Sequence, residues 1–347
     1  MKRSIKILVS IIIPFYNAEN FLERAIISAI NQSYTSIEVI LINDGSNDGS
    51  EIIAKKYSDQ HHNIRLFTTQ NLGPGNARNI GIENSLGEFI IFLDSDDALG
   101  SESVKILADA ICENESDIVV CKFTLYDKQQ IGFKDAGWKL DSYKTTGKEA
   151  VKAMYSGRIA SVVWAKIYRT EIINKILFPV GLWFEDRPYL MECFLNTDKI
   201  SLVNDSLLKI YSQEDSITRR VVTKKRIEDL HLIYVIEMEM LGKYNNVHEL
   251  SAYIINHHID VLLDTFFLII IDEKRMKHPE DQKKLYVDYI KKFMDHYPKY
   301  PYQISIKRKI ILLILNGLRV FPWSWVVFFG CILLKKKYNG VKLLKKS

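Results

Sequence analysis

Glu88-Phe89-Ile90-Ile91-Phe92-Leu93-Asp94-Ser95-Asp96-Asp97 is the stretch on which the reading of this chain turns. Its apolar half has the continuous pattern of a strand buried on both faces. Its polar half places three carboxylates at the C-terminal end of that strand. Carboxylates crowded there repel one another unless a cation sits among them. The tetrad therefore points to a hard divalent ion and, through it, to a phosphate-bearing ligand. No histidine or cysteine lies at ligand spacing nearby, which argues against zinc. The bland alternative is a group of surface acids capping the helix predicted from about Ser101.

Outward from the tetrad, strands are predicted over 7–13, 37–42, 64–68, 89–93 and 117–123, with Pro14 ending the first. Helices are predicted over 19–32, 49–57 (capped by Asn47 or Asp48), 76–84 and 101–113. Strands alternating with helices at this spacing give an α/β fold, a mostly parallel sheet flanked by helices. Ligands of such sheets bind beyond the C-terminal strand ends. The clusters Tyr16-Asn17, Asp44-Gly45-Ser46 and Asp94–Asp97 should therefore converge on one edge. Further along, 128–144 reads as a polar excursion, and 146–156 and 166–173 as helices. Pro188 fits the first turn of a helix over 189–195, and 223–300 is helical. The expected organisation is 1–125, 126–220, 221–305 and 306–347.

Charge separates the two ends. Residues 1–100 hold 8 Lys and Arg against 12 Asp and Glu, whereas 310–347 hold 7 Lys and Arg and no acid, within a net charge of +5. The acidic N-terminal third argues against nucleic acid, leaving an anionic membrane surface as partner for the tail. Residues 310–334 are nearly all apolar but interrupted by Arg319 and Pro322. They read as two short interfacial helices, with Trp323 and Trp325 at head-group level and Lys335, Lys336, Lys337, Lys342, Lys345 and Lys346 meeting lipid. A helix pair packed on the protein's own core and a true span are the alternatives. Cys112, Cys121, Cys193 and Cys331 match no zinc or disulfide pattern and read as buried free thiols of a reducing compartment. The apolar run after Lys6 reads as a first strand, not a signal peptide, which makes the cytoplasmic face of the membrane the expected location.

Four blocks, in order, resemble the family 2 glycosyltransferases of the GT-A fold. They are Val9-Ser10-Ile11-Ile12-Ile13-Pro14-Phe15-Tyr16-Asn17, Leu41-Ile42-Asn43-Asp44-Gly45-Ser46-Asn47-Asp48-Gly49-Ser50, Gly73-Pro74-Gly75-Asn76-Ala77-Arg78-Asn79 and Phe92-Leu93-Asp94-Ser95-Asp96-Asp97. Trp164-Ala165-Lys166-Ile167-Tyr168-Arg169 and Phe184-Glu185-Asp186 look like the acceptor-side motifs of bacterial members that build capsule, O-antigen or teichoic-type polymers. The resemblance implies an inverting transferase that moves a sugar from a nucleotide-sugar, most often a UDP-sugar, with Mn²⁺ or Mg²⁺. It places 1–125 as the nucleotide-sugar half, 126–220 as the acceptor half, and a helical, membrane-associating extension at the C-terminus. It implies that Pro14, Tyr16 and Glu19 lie near the nucleotide, that Asp44 accepts from the uracil imide, and that Arg78 holds the nucleotide or its phosphates. Asp94 and Ser95 fall on the donor side, Asp94 near ribose and metal, with Asp96 the main metal ligand. Asp186 is implied as the catalytic base, with Glu185 beside it.

The residue chemistry is compatible with those roles. Asp96, with Asp94, offers oxygen ligation to a hard ion that stabilises a leaving diphosphate. Inversion needs a base on the opposite face of the sugar, hence from another segment; Asp186 suits it, Glu185 is the alternative base, and a helix cap paired with Arg187 the structural one. Asp44 accepting an imide N–H would penalise cytosine, or would simply hold a turn. Arg78 can grip phosphate bidentately, or form a surface ion pair. Trp164 and Lys166 could floor an acceptor pocket, Trp164 being equally suited to the core. Trp183 offers a flat surface to a sugar ring, and Asp97 gives helix-side or acceptor-side support. Tyr211 opens a polar stretch, 212–220, in which Arg219 or Arg220 could meet the diphosphate. A lipid-linked saccharide acceptor would explain the basic, apolar tail. Competing expectations are a sugar-phosphate nucleotidyltransferase, which would want a glycine-rich basic loop after the first strand, and a non-catalytic nucleotide- or lipid-surface-binding module.

Overall fold

In the computed structural model, which describes residues 7–127, 131–211, 222–244, 248–271 and 279–296, the apolar runs become strands. β1 (Val9–Phe15), β2 (Ile37–Asn43), β3 (Ile64–Thr68) and β4 (Phe89–Phe92) lie side by side in the order β3-β2-β1-β4, all parallel. Every residue of β1, β2 and β4 is buried, as strands covered by helices on both faces must be. The intervening helices are α1 (Leu22–Ile30), α2 (Ser50–Gln60) and α3 (Pro74–Glu83).

Pro14 lies inside β1 and does not end it. The ladder explains why. Ile12 O accepts the Leu93 N–H at 3.0 Å on the β4 side, and Phe15 O accepts the Asp44 N–H at 2.9 Å on the β2 side. Alternate residues face alternate neighbours, so Pro14 turns its missing N–H to the β4 side just past the end of β4.

The sheet then becomes mixed, correcting the mostly parallel expectation. β5 (Ala98–Leu99) and α4 (Ser103–Glu113) precede β6 (Ile118–Tyr126), β7 (Gly132–Ala136), β8 (Lys144–Thr145) and α5 (Gly147–Tyr155). β9 (Lys166–Arg169), the single turn α6 (Thr170–Ile173), α7 (Asp186–Leu195) and β10 (Ile200–Tyr211) follow. The order continues β4-β9-β6-β10-β5, with β9 antiparallel to both its neighbours.

A helix was expected over 166–173. The slot between β4 and β6 overrides that pattern, because Lys166, Ile167 and Tyr168 bury completely there while completing two ladders. The excursion 128–144 contains β7, whose residues are mostly exposed, and the start of β8. β10 leaves little trace in sequence because Asn204-Asp205-Ser206 interrupts it where its register on β6 shifts. Helix α7 starts three residues earlier than expected, at Asp186.

The chain divides into two compact units, Met1–Ser216 and Ile217–Ser347. In the second, α8 (Lys224–Leu241), α9 (His248–Ile271) and α10 (Pro279–His296) pack on one another through residues such as Ile233, Ile255, Leu262 and Ile290. Thr223 caps α8, its Oγ1 accepting the Arg226 N–H. His258 is buried among Tyr234, Tyr289 and Phe293. Cys121 and Cys193 are buried free thiols, whereas Cys112 is exposed on α4, unlike the expectation. The segment 212–220, Arg219 and Arg220 included, and the whole of 306–347 lie outside the described residues. Among the described residues no helix is long and apolar enough to cross a membrane.

One buried carboxylate ties the N-terminal ends of these strands together. Glu38 accepts from Ser10 Oγ at 2.5 Å, Arg65 Nη2 at 2.6 Å and the Leu86 N–H at 2.6 Å. Replacing Glu38 by Ala orphans buried donors, and hydrogen bonds to charged groups are worth about 2 kcal/mol. We expect Glu38→Ala to lower the urea midpoint with the m-value unchanged; an unchanged midpoint would refute this role.

Candidate functional site

The C-terminal ends of β1, β2 and β4 meet at one edge, as their parallel register requires. Two loops there are stitched together. The Asn17 N–H donates to Ser46 Oγ at 3.0 Å, and the Asn47 N–H to Asn17 Oδ1 at 2.9 Å. Glu19 Oε2 accepts the Gly49 N–H at 2.8 Å, while the Glu19 N–H donates to Asp48 Oδ2 at 3.1 Å. Glu19, implied near the nucleotide, therefore has one carboxylate oxygen committed to the first turn of α2. Pro14 is buried, and Tyr16 is 46% exposed at the loop tip.

Asp44 is buried beside Gly45, whose φ of +74° makes the turn. Its oxygens accept the Leu72 N–H at 3.0 Å and the Gly73 N–H at 2.9 Å. Burial pushes its carboxyl up, opposed by those two N–H groups. Each oxygen keeps a second lone pair, so a fixed acceptor for a ligand N–H remains.

At the end of β4, Asp94, Asp96 and Asp97 place ligand oxygens within 4.8 Å of one another, and Ser95 lies in the turn among them. Burial, then repulsion from Asp94, pushes Asp96 up to about 6. Asp97 is raised well above the usual carboxylate range by burial and by both other carboxylates. Such crowding is what a divalent cation relieves, so this donor set fits Mn²⁺ or Mg²⁺. Asp97 itself is buried and accepts the Tyr211 N–H at 3.0 Å, which makes it a brace within the loop.

Arg78 departs most from expectation. Its Nη2 donates to Asp94 Oδ1 at 3.0 Å, and its Nη1 to Glu185 Oε1 at 2.8 Å and Asp186 Oδ1 at 3.0 Å. At 5% exposed, its guanidinium pairs with three carboxylates while its Nε–H has no partner among the described residues, where the sequence offered a phosphate grip or a surface ion pair. It joins the Asp94–Asp97 loop to the acidic pair. Gly75, Arg78 and Asn79, spaced i, i+3 and i+4, form one face of α3 turned to the segment before α7. A Cβ at Gly75 would lie 2.7 Å from Pro179 O. Asn79 both donates to Phe178 O at 3.0 Å and accepts the Phe178 N–H at 2.8 Å.

Beneath Arg78 lies an aromatic floor that sequence reasoning missed. Phe178 stacks on Tyr189 at 3.6 Å, and Phe92 meets Tyr168, Phe178 and Tyr189 edge-on. Burial there pushes Asp186 up to about 7, with Arg78 pulling down and Glu185 and Asp94 pushing up.

Asp186 Oδ2 also accepts the Val163 N–H at 3.4 Å, linking the pair to the loop before β9. Lys166 anchors that loop from below: fully buried, its Nζ donates to Ala160 O at 3.2 Å and Val162 O at 2.6 Å. Lys166 is thus a support, not an exposed part of an acceptor floor. Trp164 is half-buried, its ring 4.7 Å from Phe123 in an edge-on contact, so it serves the core and keeps a free face. Trp183 is partly exposed next to Phe184, two residues ahead of Glu185.

Residues 10–176 match the profile described as glycosyl transferase family 2. An uncharacterized glycosyltransferase of Haemophilus influenzae is 33% identical over 187 residues, covering 54% of this chain and 71% of that protein. The chain belongs to glycosyltransferase family 2. A cholesterol galactosyltransferase of Borreliella burgdorferi is 32% identical over 223 residues, 61% of this chain, and the match spans 62% of that relative's length. The crystal structure of residues 1–349 of Staphylococcus aureus TarS with UDP-GlcNAc superposes with a TM-score of 0.69 at 21% identity, covering 95% of this chain and 92% of that one. The α/β fold is therefore of the GT-A kind.

If Arg78, itself buried, is the counterion of three carboxylates, removing its charge destabilises the fold itself. We expect Arg78→Gln to cost about 3 kcal/mol in urea denaturation, the order seen when one partner of a buried ion pair is removed. A purely ligand-binding arginine would leave the unliganded protein's stability unchanged.

Proposed function

We propose that this protein transfers a sugar, with inversion, from a UDP-sugar to a hydroxyl of a lipid-linked saccharide acceptor in cell-surface polysaccharide synthesis. The observation that carries the reading is the Arg78 bridge. It holds a candidate metal loop and a candidate base on opposite sides of one guanidinium, as displacement between a diphosphate and an incoming hydroxyl requires. The TarS structure, which holds UDP-GlcNAc, supports a UDP-linked donor. The basic residues of 335–346 favour an anionic membrane surface at the cytoplasmic face as the place of action.

Asp96 and Asp94 would hold a divalent ion, which supplies Lewis-acid stabilisation of the departing diphosphate. Asp44 presents its carboxylate to the N3–H of the base, and the Tyr16 loop lies beside it. Asp186 takes the proton of the acceptor hydroxyl, and Glu185 shares Arg78 with it, so that both acids need not be neutralised at once. Trp183 and the free face of Trp164 border the acceptor side.

Three measurements test this reading. Asp96→Asn should abolish metal-dependent hydrolysis and transfer of UDP-sugars, in a screen that also includes GDP- and dTDP-sugars; unchanged turnover would remove the metal assignment. Asp186→Asn should lower kcat by roughly 10²–10⁴, and full transfer by that variant alongside an inactive Glu185→Gln would move the base to Glu185. A base acts only when deprotonated, and burial raises Asp186 to about 7. Transfer should therefore fall as pH drops through about 7, and the residual activity of Asp186→Asn should lack that acid limb.

A further inference from the structure

Arg24 is a second guanidinium at the carboxylate cluster, and the transfer chemistry above does not use it. From α1 its Nη2 donates to the backbone oxygen of Asp96. Its guanidinium lies 3.7 Å from the centroid of the Tyr211 ring. Tyr211, the last residue of β10, returns to the same loop: its N–H donates to Asp97 Oδ1 at 3.0 Å, and its ring packs 5.1 Å from that of Tyr126. The loop is thus gripped twice, by the Asp96 carbonyl and by the Asp97 carboxylate, and both grips converge on Tyr211. Arg24 Nε is buried without a hydrogen-bond partner, a cost borne to keep the guanidinium where it is. A cavity of about 490 Å³, lined in part by Ile27, Ser28, Lys209 and Tyr211, opens beside it.

We propose that Arg24, seated on Tyr211, is a positioning residue that presets the Asp94–Asp97 loop for its divalent ion; this rests on the metal reading given above. A planar guanidinium can stack on an aromatic ring and donate to a carbonyl at the same time, which a lysine ammonium cannot reproduce. Fixing the Asp96 peptide fixes where its carboxylate points. The ion then meets an arranged site and need not order one.

The test is Mn²⁺ binding to the full chain with UDP present, followed by the electron paramagnetic resonance signal of free Mn²⁺. Partners that orient a metal ligand are worth roughly 10–100-fold in affinity, so Arg24→Gln should raise the Mn²⁺ Kd by at least about tenfold. Tyr211→Ala should do the same, and Arg24→Lys should recover only part of the loss. The melting temperature of Arg24→Gln in EDTA should stay near wild type. In turnover, its KM for Mn²⁺ should rise while kcat at saturating Mn²⁺ recovers, a split that a general loss of structure would not produce. Wild-type Mn²⁺ affinity in Arg24→Gln, or weakening only in proportion to a lower melting temperature in EDTA, would overturn the clamp. Asp96→Asn is the control that separates the two readings. If wild type binds and Asp96→Asn does not, the metal site stands whatever Arg24→Gln does; if wild type binds no Mn²⁺, the metal reading fails and the clamp with it.

Discussion

A single guanidinium holds together the two halves of chemistry that this fold must bring side by side. Arg78 is buried against Asp94 on one side and Glu185 and Asp186 on the other. Without it, three acids from two distant segments would repel one another in a desolvated pocket, and the segment leading into α7 would lose its electrostatic tether to β4. Its arrangement explains features that look separate in sequence. Gly75 is small because the α3 backbone must approach Pro179 closely, and Asn79 is polar because it clasps the Phe178 peptide. One helix face positions the arginine and its acidic partners together.

Charge balance at this edge favours a cation before any diphosphate arrives. Asp94, Asp96, Asp97, Glu185 and Asp186 face two guanidiniums, those of Arg78 and Arg24, so negative charge is in excess. Burial answers the excess by raising the carboxyls of Asp96, Asp97 and Asp186. The consequence differs by place. At the Asp94–Asp97 loop the raised carboxyls suit the cation proposed for it. Over the floor of Phe92, Tyr168, Phe178 and Tyr189, the same physics raises Asp186 to about 7, the range in which the base role proposed for it is chemically effective.

The donor-side half was legible because it obeys local rules. Buried parallel strands read as continuous apolar runs, and the loops after them carry their polar residues in sequence order. The expected β3 span, 64–68, matches the observed strand, and the polar clusters after β1, β2 and β4 do meet at one edge. The far half resisted reading because long-range pairing decides it. Lys166–Arg169 has no strand signature until β4 and β6 leave a slot between them, and β10 crosses a polar interruption that only the register on β6 accommodates. Arg78 shows a different limit. Its place on α3 just after a glycine-rich loop is compatible with binding phosphate, and no local pattern reveals that acids 107 and 108 residues away pair with it. Arg24 and the aromatic floor were invisible for the same reason.

Backbone strain gathers around the candidate site in both halves. Among the described residues, the non-glycine positions with positive φ are Asn17, Glu115, Ala165 and Phe184. Glu115 belongs to the turn after α4, but the other three each open a segment of the candidate site. Asn17 bends the loop after β1 and is held by Ser46 and Asn47. Ala165 separates Trp164 from Lys166, so that one side chain keeps a free face while the next is buried, and its carbonyl is fixed by the Cys121 N–H. Phe184 turns the chain into α7 immediately ahead of Glu185 and Asp186, with its carbonyl accepting the Arg187 N–H. A conformation of this kind costs on the order of 1–3 kcal/mol per residue and persists only where its surroundings over-determine it. Glycine would relieve the strain at each point but would loosen the residue that follows. At Phe184 the residues that follow are Glu185 and Asp186, so a strained entry to α7 sets the two acids that pair with Arg78.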